Sequence, residues 1–454
     1  MSPTTATIDK ARLFELIEKE KQLFVSRHPE SKALAERASK VMLSGVPMNW
    51  MVRWGGPYPM FVEQASGAKL IDVDGNEYID FCLGDTGAMT GHAPQPVLDA
   101  LADVKAGMST MLPTEDAIAV AEELGKRFGL PFWQFSLSAT DANRFALKIA
   151  RQYTGRHKIL VFNYCYHGTV DDTLVTIENG KEVWRGGVIG GTLDPSETTR
   201  VVEFNNIEAV KHALSKRDVA CVLAEPAMTN MGIVLPDEGF HEQLRKICDE
   251  TGTLLILDET HTISAGPGGC TAAWNLRPDM LTIGKPLASG IPCGTYGISQ
   301  AIADKIRELA SSDQCDFSGI GGTLAANALS LKAMRRTLEE VLTPDAFQRM
   351  FALADKYVAA IRSVIDKHNL DWSVVKLGAR AEFHFCKKPP HNGGEAFAAQ
   401  DMTMEHYLHL ALNNRGVLLT PFHNMALMSP ATSEAEVAKF ESTFSEVVAQ
   451  VVKH

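Results

Sequence analysis

Two hydrophobic periods alternate along the middle of the chain. Between about residues 90 and 330, short apolar and β-branched runs read as strands: FWQFSLS (132–138), KILVFNY (158–164), VACVLAE (219–225), TLLILDE (253–259), MLTIG (280–284) and GTYGIS (294–299). DAIAVAEELGKRF, DANRFALKIARQY and FHEQLRKICDE, with apolar residues three and four apart, read as amphipathic helices among them. This alternation predicts an α/β fold with a mostly parallel sheet covered by helices on both faces.

The flanking regions follow other patterns. The first ~45 residues carry helical spacing in ARLFELIEKEKQLF and ESKALAERASKVML, and the aperiodic GVPMNWMVRWGGPYPMF follows them. KLIDVDGNEYIDF predicts two strands around a turn at Asp74-Gly75. The last ~120 residues run from the helical ALSLKAMRRTLEEVL through VVKLGARAEFHF and GVLLTP to a closing helix, EAEVAKFESTFSEVVAQVV, the pattern of a smaller α+β domain. The expected division is 1–68 as an N-terminal helical segment and loop, 69–331 as the large domain, and 332–454 as the small domain.

Composition excludes some functions. The chain has 454 residues, 45% of them hydrophobic, and its formal charge of −11 disfavours nucleic acid as a partner, because phosphate binding needs a basic surface. Eight scattered cysteines (82, 165, 221, 248, 270, 293, 315 and 386) form no C-x-x-C pair and read as free thiols of a reducing compartment. The N-terminus lacks a signal-peptide pattern, and no apolar run reaches the ~18 residues of a membrane span. A cytoplasmic protein is expected.

Chemistry gathers where the strands end. In an open α/β sheet, ligands bind beyond the carboxyl ends of the strands. There stand Asp258-Glu259, Glu225-Pro226, Ser138-Ala139-Thr140, Tyr166-His167-Gly168, and Lys285 just after MLTIG. A desolvated lysine can lose its proton near neutral pH and form a Schiff base with a carbonyl. A carboxylate on an apolar strand about 27 residues earlier could pair with a protonated pyridine nitrogen, and Ser-Ala-Thr entering a helix offers hydroxyls and N–H groups to a phosphate. An aromatic before His-Gly could cover a ring. Lysine, carboxylate, phosphate cup and aromatic lid together describe a pyridoxal phosphate site.

From about residue 30 to its end, the chain resembles the class III aminotransferases of pyridoxal phosphate fold type I, most of all their glutamate-1-semialdehyde aminomutase-like branch. DVDGNEYIDF, LSATDANRFALKIAR, YHG, AEPAMTNMG, LLILDET, PDMLTIGKPLASGIPCGTYG and GGTLAANALSLKAM carry the resemblance, in the family's order. It implies a seven-stranded, mostly parallel sheet in the large domain and a small domain built from both ends of the chain. Carried over, Lys285 would hold the cofactor as an aldimine and shuttle the Cα proton, and Asp258 would bond the pyridine N–H. Ser138, Ala139 and Thr140 would cup the phosphate, with Ala139 where the family usually has glycine. Tyr166 would stack on the ring, Thr260 would pack under it, and Asn230 would lie beside its 3′-oxygen. Thr323 would reach the phosphate of a neighbouring subunit, which implies a homodimer with shared active sites.

Other positions keep two readings. Glu225 is either a site residue or a structural acid, and His167 either belongs to the site or is a hydrogen-bonded core histidine. His261 is expected near the site. For the substrate, Arg53 or Arg380 would clamp a carboxylate. Trp50, Met48 and Trp54 would form an apolar wall, and His423 and Asn424 would line the pocket. Thr86 stands where aminomutase relatives carry tryptophan, and TPFHNMALMS lacks their gating glutamate. Both departures favour a ping-pong transaminase that moves an amino group from an amine or ω/β-amino acid to pyruvate or a similar oxo acid. The alternatives are the 2,1-aminomutase, a racemase on the same scaffold, and a catalytically idle binding protein of this fold. No G-x-S-x-G elbow supports a hydrolase. His406 and His409, three apart on an expected surface helix, make a poor metal site, and no metal is expected.

Overall fold

A computed structural model describes residues 8–311 and 317–452. Two compact units interleave along the chain: residues 1–94, 345–389 and 399–454 cluster as one, and residues 95–344 and 390–398 as the other. Residues 69–94 thus group with the first unit and residues 332–344 with the second, unlike the division expected from the sequence.

The second unit is built on a seven-stranded sheet. Its order is Phe132–Ser136, Gly294–Ile298, Met280–Ile283, Leu254–Asp258, Val219–Ala224, Lys158–Phe162 and Thr199–Val202. The strands from Met280–Ile283 to Thr199–Val202 pair in parallel, and Gly294–Ile298 runs antiparallel to both of its neighbours. All six strands expected from their apolar runs are present. The seventh, TRVV at the sheet edge, has only four residues and no long apolar run to announce it. Val219–Ala224 and Leu254–Asp258 are buried along their whole length, as strands covered on both faces must be.

Helices start and stop on local signals. Ser138 caps Ala139–Thr154 by accepting the Asp141 N–H at 3.2 Å, and Gly155 ends that helix at φ +69°. Its face of Ala142, Phe145, Ala146, Leu147, Ile149 and Ala150 packs into the core with Ile159, Val161, Ala220, Leu223 and Ile256 from the strands. Burying each large side chain there contributes about 1.5–3 kcal/mol before chain entropy is counted. The carboxyl ends of the strands and the N-terminus of this helix therefore meet on one edge.

In the first unit, the N-terminal helical expectation shortens to Lys10–Arg27 and Pro29–Ala38, with irregular turns beyond. Asp74 of DVDG accepts the backbone N–H groups of Glu30 at 2.6 Å and Ser31 at 3.0 Å, tying the hairpin turn to the start of the second helix. Strands Lys69–Asp72 and Glu77–Asp80 form the expected hairpin, joined by Val62–Ser66 and Val417–Leu418 in a four-stranded sheet. Ser373–Leu377, Arg380–His384 and Met425–Leu427 make a second, three-stranded sheet. Met402–Asn413, expected at the surface, is largely buried, His409 included. Among the described residues the cysteines are unpaired thiols, no group of side chains is arranged to hold a metal ion, and no helix is long and apolar enough to cross a membrane. Cys315 lies outside the described residues.

Candidate active site

The site in the second unit grows from two adjacent parallel strands. Asp258 ends one, paired in register with Thr282 of the next, and the Glu259 N–H extends the ladder to the Thr282 carbonyl at 2.9 Å. Lys285 follows three residues later, at the head of a 3-10 turn, Lys285–Ala288. The register thus delivers the carboxylate and the amine to one edge.

Asp258 is buried and fully engaged. Its Oδ2 accepts from Asn143 Nδ2 at 2.8 Å and lies 3.0 Å from His167 Nδ1, while Oδ1 accepts the Thr260 N–H at 3.0 Å. Burial alone would raise this carboxyl, but the His167 hydrogen bond and charge, with Thr260 and Asn143, outweigh it and bring it down to about 2. Burial likewise opposes a charge on His167, and the neighbouring Cys165 sulfur and the Asp258 carboxylate lift the ring above the ordinary histidine range. A buried carboxylate is therefore kept ionised at neutral pH.

Neither Asn143 nor Thr282 stood out in the sequence. Asn143 sits on the buried face of Ala139–Thr154, inside DANRFALK, where a polar residue among apolar ones was the available signal. Its Oδ1 accepts the Thr282 hydroxyl at 2.6 Å, and Nδ2 also reaches the His167 carbonyl at 3.1 Å, so both ends of the amide are used. His167 belongs to this network. Glu225 is also buried and accepts the Thr229 N–H at 3.2 Å and the Thr229 hydroxyl. Burial pushes it up to about 7, against the opposing pull of His167 and Thr229. Its direct partners are those of a structural acid. Glu259 accepts from Thr262, Cys270 and Thr271, and a Cβ on Gly269 would come within 2.3 Å of its carboxylate.

The cup at residues 138–140 is shaped by glycines opposite it. A Cβ on Gly284 would lie 2.9 Å from the Ala139 nitrogen and Cβ, one on Gly294 2.2 Å from the Ser138 carbonyl, and one on Gly168 2.0 Å from Thr140 Oγ1. Ala139 has no positive φ, so its side chain costs the turn nothing. Tyr166 is partly exposed beside Gly168, and Asn230 donates to the Tyr164 carbonyl at 2.8 Å. Lys285 Nζ lies 2.7 Å from His261 Nε2. Thr323 is exposed, and its carbonyl accepts from Ser109 at 3.3 Å.

These residues fit a flat, phosphorylated heterocycle bearing an aldehyde. An ionised carboxylate suits a ring N–H, a helix N-terminus walled by glycines suits a phosphate, and a lysine suits the aldehyde carbon. The buried Thr260 Oγ1 and His167 Nε2 have no hydrogen-bond partner among the described residues.

The residues expected to meet substrate, Met48, Trp50, Arg53, Thr86 and His423, all belong to the first unit. Arg53 and Met48 are exposed on and beside the short helix Asn49–Arg53, and the Trp50 ring packs edge-on to Phe422 at 5.6 Å. Arg380 is fully buried and donates to the Thr86 hydroxyl. Leu83, Gly84, Asp85 and Thr86 all have positive φ, which for a β-branched threonine at +83° is a strained conformation. His423 Nδ1 lies 3.5 Å from Glu382 Oε1. Burial opposes its charge, yet Glu382 and Asp85 raise it.

Fold and site together define a pyridoxal phosphate enzyme of fold type I. The chain belongs to the class III aminotransferase family, whose model matches residues 50–448. A glutamate-1-semialdehyde 2,1-aminomutase of Methanocaldococcus jannaschii is 35% identical over 368 residues, 79% of this chain and 84% of its own. The crystal structure of a glutamate-1-semialdehyde aminomutase from Pseudomonas aeruginosa PAO1 is 45% identical, with a TM-score of 0.95 over 98% of this chain and 99% of that one. A lysine-to-alanine variant of that enzyme was crystallised in complex with PMP. An omega-transaminase from Sphaerobacter thermophilus is 27% identical, with a TM-score of 0.85 over 94% of this chain and 99% of its own. Pyridoxal phosphate is the cofactor of this chain.

Proposed function

We propose that the protein moves an amino group between neighbouring carbons of one small amino-oxo acid, as a glutamate-1-semialdehyde 2,1-aminomutase does. The supporting observation is the 45% identity, across 98% of this chain, to a protein described as that aminomutase. Bound pyridoxal phosphate supplies an electron sink and a carbonyl that accepts the amino group. Lys285 would hold it, and its amine would carry the proton taken from the substrate carbon. Asp258, kept ionised by His167, Asn143 and Thr260, would stabilise a cation on the ring nitrogen. Ser138, Ala139 and Thr140 would hold the phosphate, and Tyr166 and Asn230 would lie against the ring.

A transaminase is the second reading, moving the amino group from an amine or ω/β-amino acid onto an oxo acid. It is favoured by Thr86, where the aminomutase branch carries tryptophan, and by the absence of an acid from TPFHNMALMS. A homodimer with shared sites belongs to both readings. Its support is the exposure of Thr323 beside the exposed apolar Met108, Met111, Leu112 and Leu324, on segments that Ser109 joins through the Thr323 carbonyl.

The test gives purified protein glutamate 1-semialdehyde with no second substrate and follows 5-aminolevulinate. In parallel, it is given amines and β-amino acids with pyruvate or 2-oxoglutarate. Formation of 5-aminolevulinate supports the aminomutase. Product formed only when an oxo acid is added overturns it in favour of the transaminase. Lys285→Ala should abolish either activity.

A further inference from the structure

We infer that Phe397 is a positioning residue for the segment beside the cofactor ring. It holds Tyr164 by its flat face and, through Tyr164, sets where Asn230 and Tyr166 stand. The inference rests on the ring-side places proposed for Asn230 and Tyr166 and adds the residue that fixes them.

The two aromatic rings stack, with centroids 4.5 Å apart and planes 12° from parallel. Phe397 lies on the short helix Gly393–Ala398 and is 49% exposed, so core packing does not account for it. Tyr164 is a residue that needs holding. It turns the chain just past the end of Lys158–Phe162 at a φ of +61°, which a bulky side chain keeps only where its surroundings enforce it. Its carbonyl accepts Asn230 Nδ2 at 2.8 Å, and Tyr166 follows two residues on.

The residues flanking Tyr164 are pinned through polar groups. Asn163 donates from Nδ2 to Glu203 Oε1 at 2.6 Å and accepts the Thr176 hydroxyl on Oδ1 at 2.6 Å, and the Cys165 carbonyl accepts from Arg185. Between them, the Phe397 ring fixes the direction of the Tyr164 side chain.

The helix that carries Phe397 is itself anchored. Residues 390–398 cluster with the second unit although the chain on either side clusters with the first. The Gly394 N–H donates to Glu203 Oε2 at 3.3 Å, so one carboxylate joins this helix to Asn163. A Cβ on Gly393 would fall 2.0 Å from the Asn163 carbonyl, which brings the helix start directly against the turn. His391 Nε2 lies 2.7 Å from Asp237 Oδ2, and the His391 carbonyl accepts Asn205 Nδ2 at 2.8 Å.

The experiment compares holoenzymes of wild type, Phe397→Ala, Phe397→Tyr and Asn230→Ala by cofactor affinity and by the pH at which the visible band of bound pyridoxal phosphate changes. Phe397→Ala is expected to weaken affinity about twofold to tenfold, the loss of one stacked aromatic pair. It should also move the band's pH midpoint by about half a unit or more, in the same direction as Asn230→Ala, because Asn230 would border the ring oxygen. Phe397→Tyr keeps a flat ring and should match wild type. A purely structural role would lower the melting temperature and leave the midpoint in place. Phe397→Ala with the wild-type midpoint therefore overturns the inference, as does Phe397→Tyr that loses as much as Phe397→Ala. Should Phe397→Ala fail to fold, Phe397→Leu decides by the same readings. Asn230→Ala with an unmoved midpoint would instead overturn the ring-side place of Asn230.

Discussion

The side-chain amide of Asn143 holds Asp258. Its Nδ2 donates to Asp258 Oδ2 at 2.8 Å while its Oδ1 takes the Thr282 hydroxyl at 2.6 Å. A helix residue thus locks the acid at the end of one strand by bonding the next strand as well. Asn143→Ala leaves the Thr282 hydroxyl and an Asp258 oxygen short of a partner inside the protein. The expected cost is about 1–3 kcal/mol of stability, with weaker retention of pyridoxal phosphate because Asp258 loses a donor that keeps it ionised. Urea unfolding and a cofactor titration check both. An unchanged midpoint and unchanged affinity would show that Asn143 is a bystander.

Glu225 and Asp258 predict opposite pH responses in the cofactor-free protein. Asp258 has its folded value brought down to about 2. Its contribution is therefore complete above its unfolded value of about 4 and is lost as the pH falls through the folded one. Glu225 is pushed up to about 7, so folding binds its proton more tightly. Its effect on stability becomes steadily less favourable as the pH rises from about 4.5 through the folded value. Glu225→Gln should therefore gain on wild type over that interval, by on the order of 1–3 kcal/mol. Thermal melts at several pH values measure the difference. A gap that stays constant across the series would refute the assignment.

Gly168→Ala should injure the cup without touching the lysine. The new Cβ would fall 2.0 Å from Thr140 Oγ1, at a φ of +81° that side chains rarely adopt. Strain of about 1–3 kcal/mol is expected, and Thr140 must move. Affinity for pyridoxal phosphate should drop at least tenfold, while affinity for pyridoxal, which lacks the phosphate, changes little. Equal losses for the two ligands would mean that the damage is general.

The exposed run at Met111 and Leu112, 75% and 73% accessible, predicts association. Met111→Asp with Leu112→Asp should convert a dimer into monomers with the individual chain still folded. Analytical ultracentrifugation at several concentrations reads this directly. A double variant that sediments as wild type does would place any interface elsewhere.

Much of the second unit was legible along the chain because strands buried on both faces must be continuously apolar. Val219–Ala224 and Leu254–Asp258 stand out for that reason, and so do the acids and the lysine that interrupt the pattern at their ends. The sequence alone therefore determined the α/β class, six of the seven strands of this sheet, and the candidacy of Lys285, Asp258 and the 138–140 cup. Tertiary structure decided what their partners are. Thr199–Val202 is too short to show a period and exists as an edge strand through its pairing with Lys158–Phe162. Asn143, Thr282 and His167 converge on Asp258 from distant positions, and His261 meets Lys285 across two strand ends. Periodicity reports which face a residue occupies, but hydrogen bonds between remote residues depend on register and strand order, which no local pattern encodes.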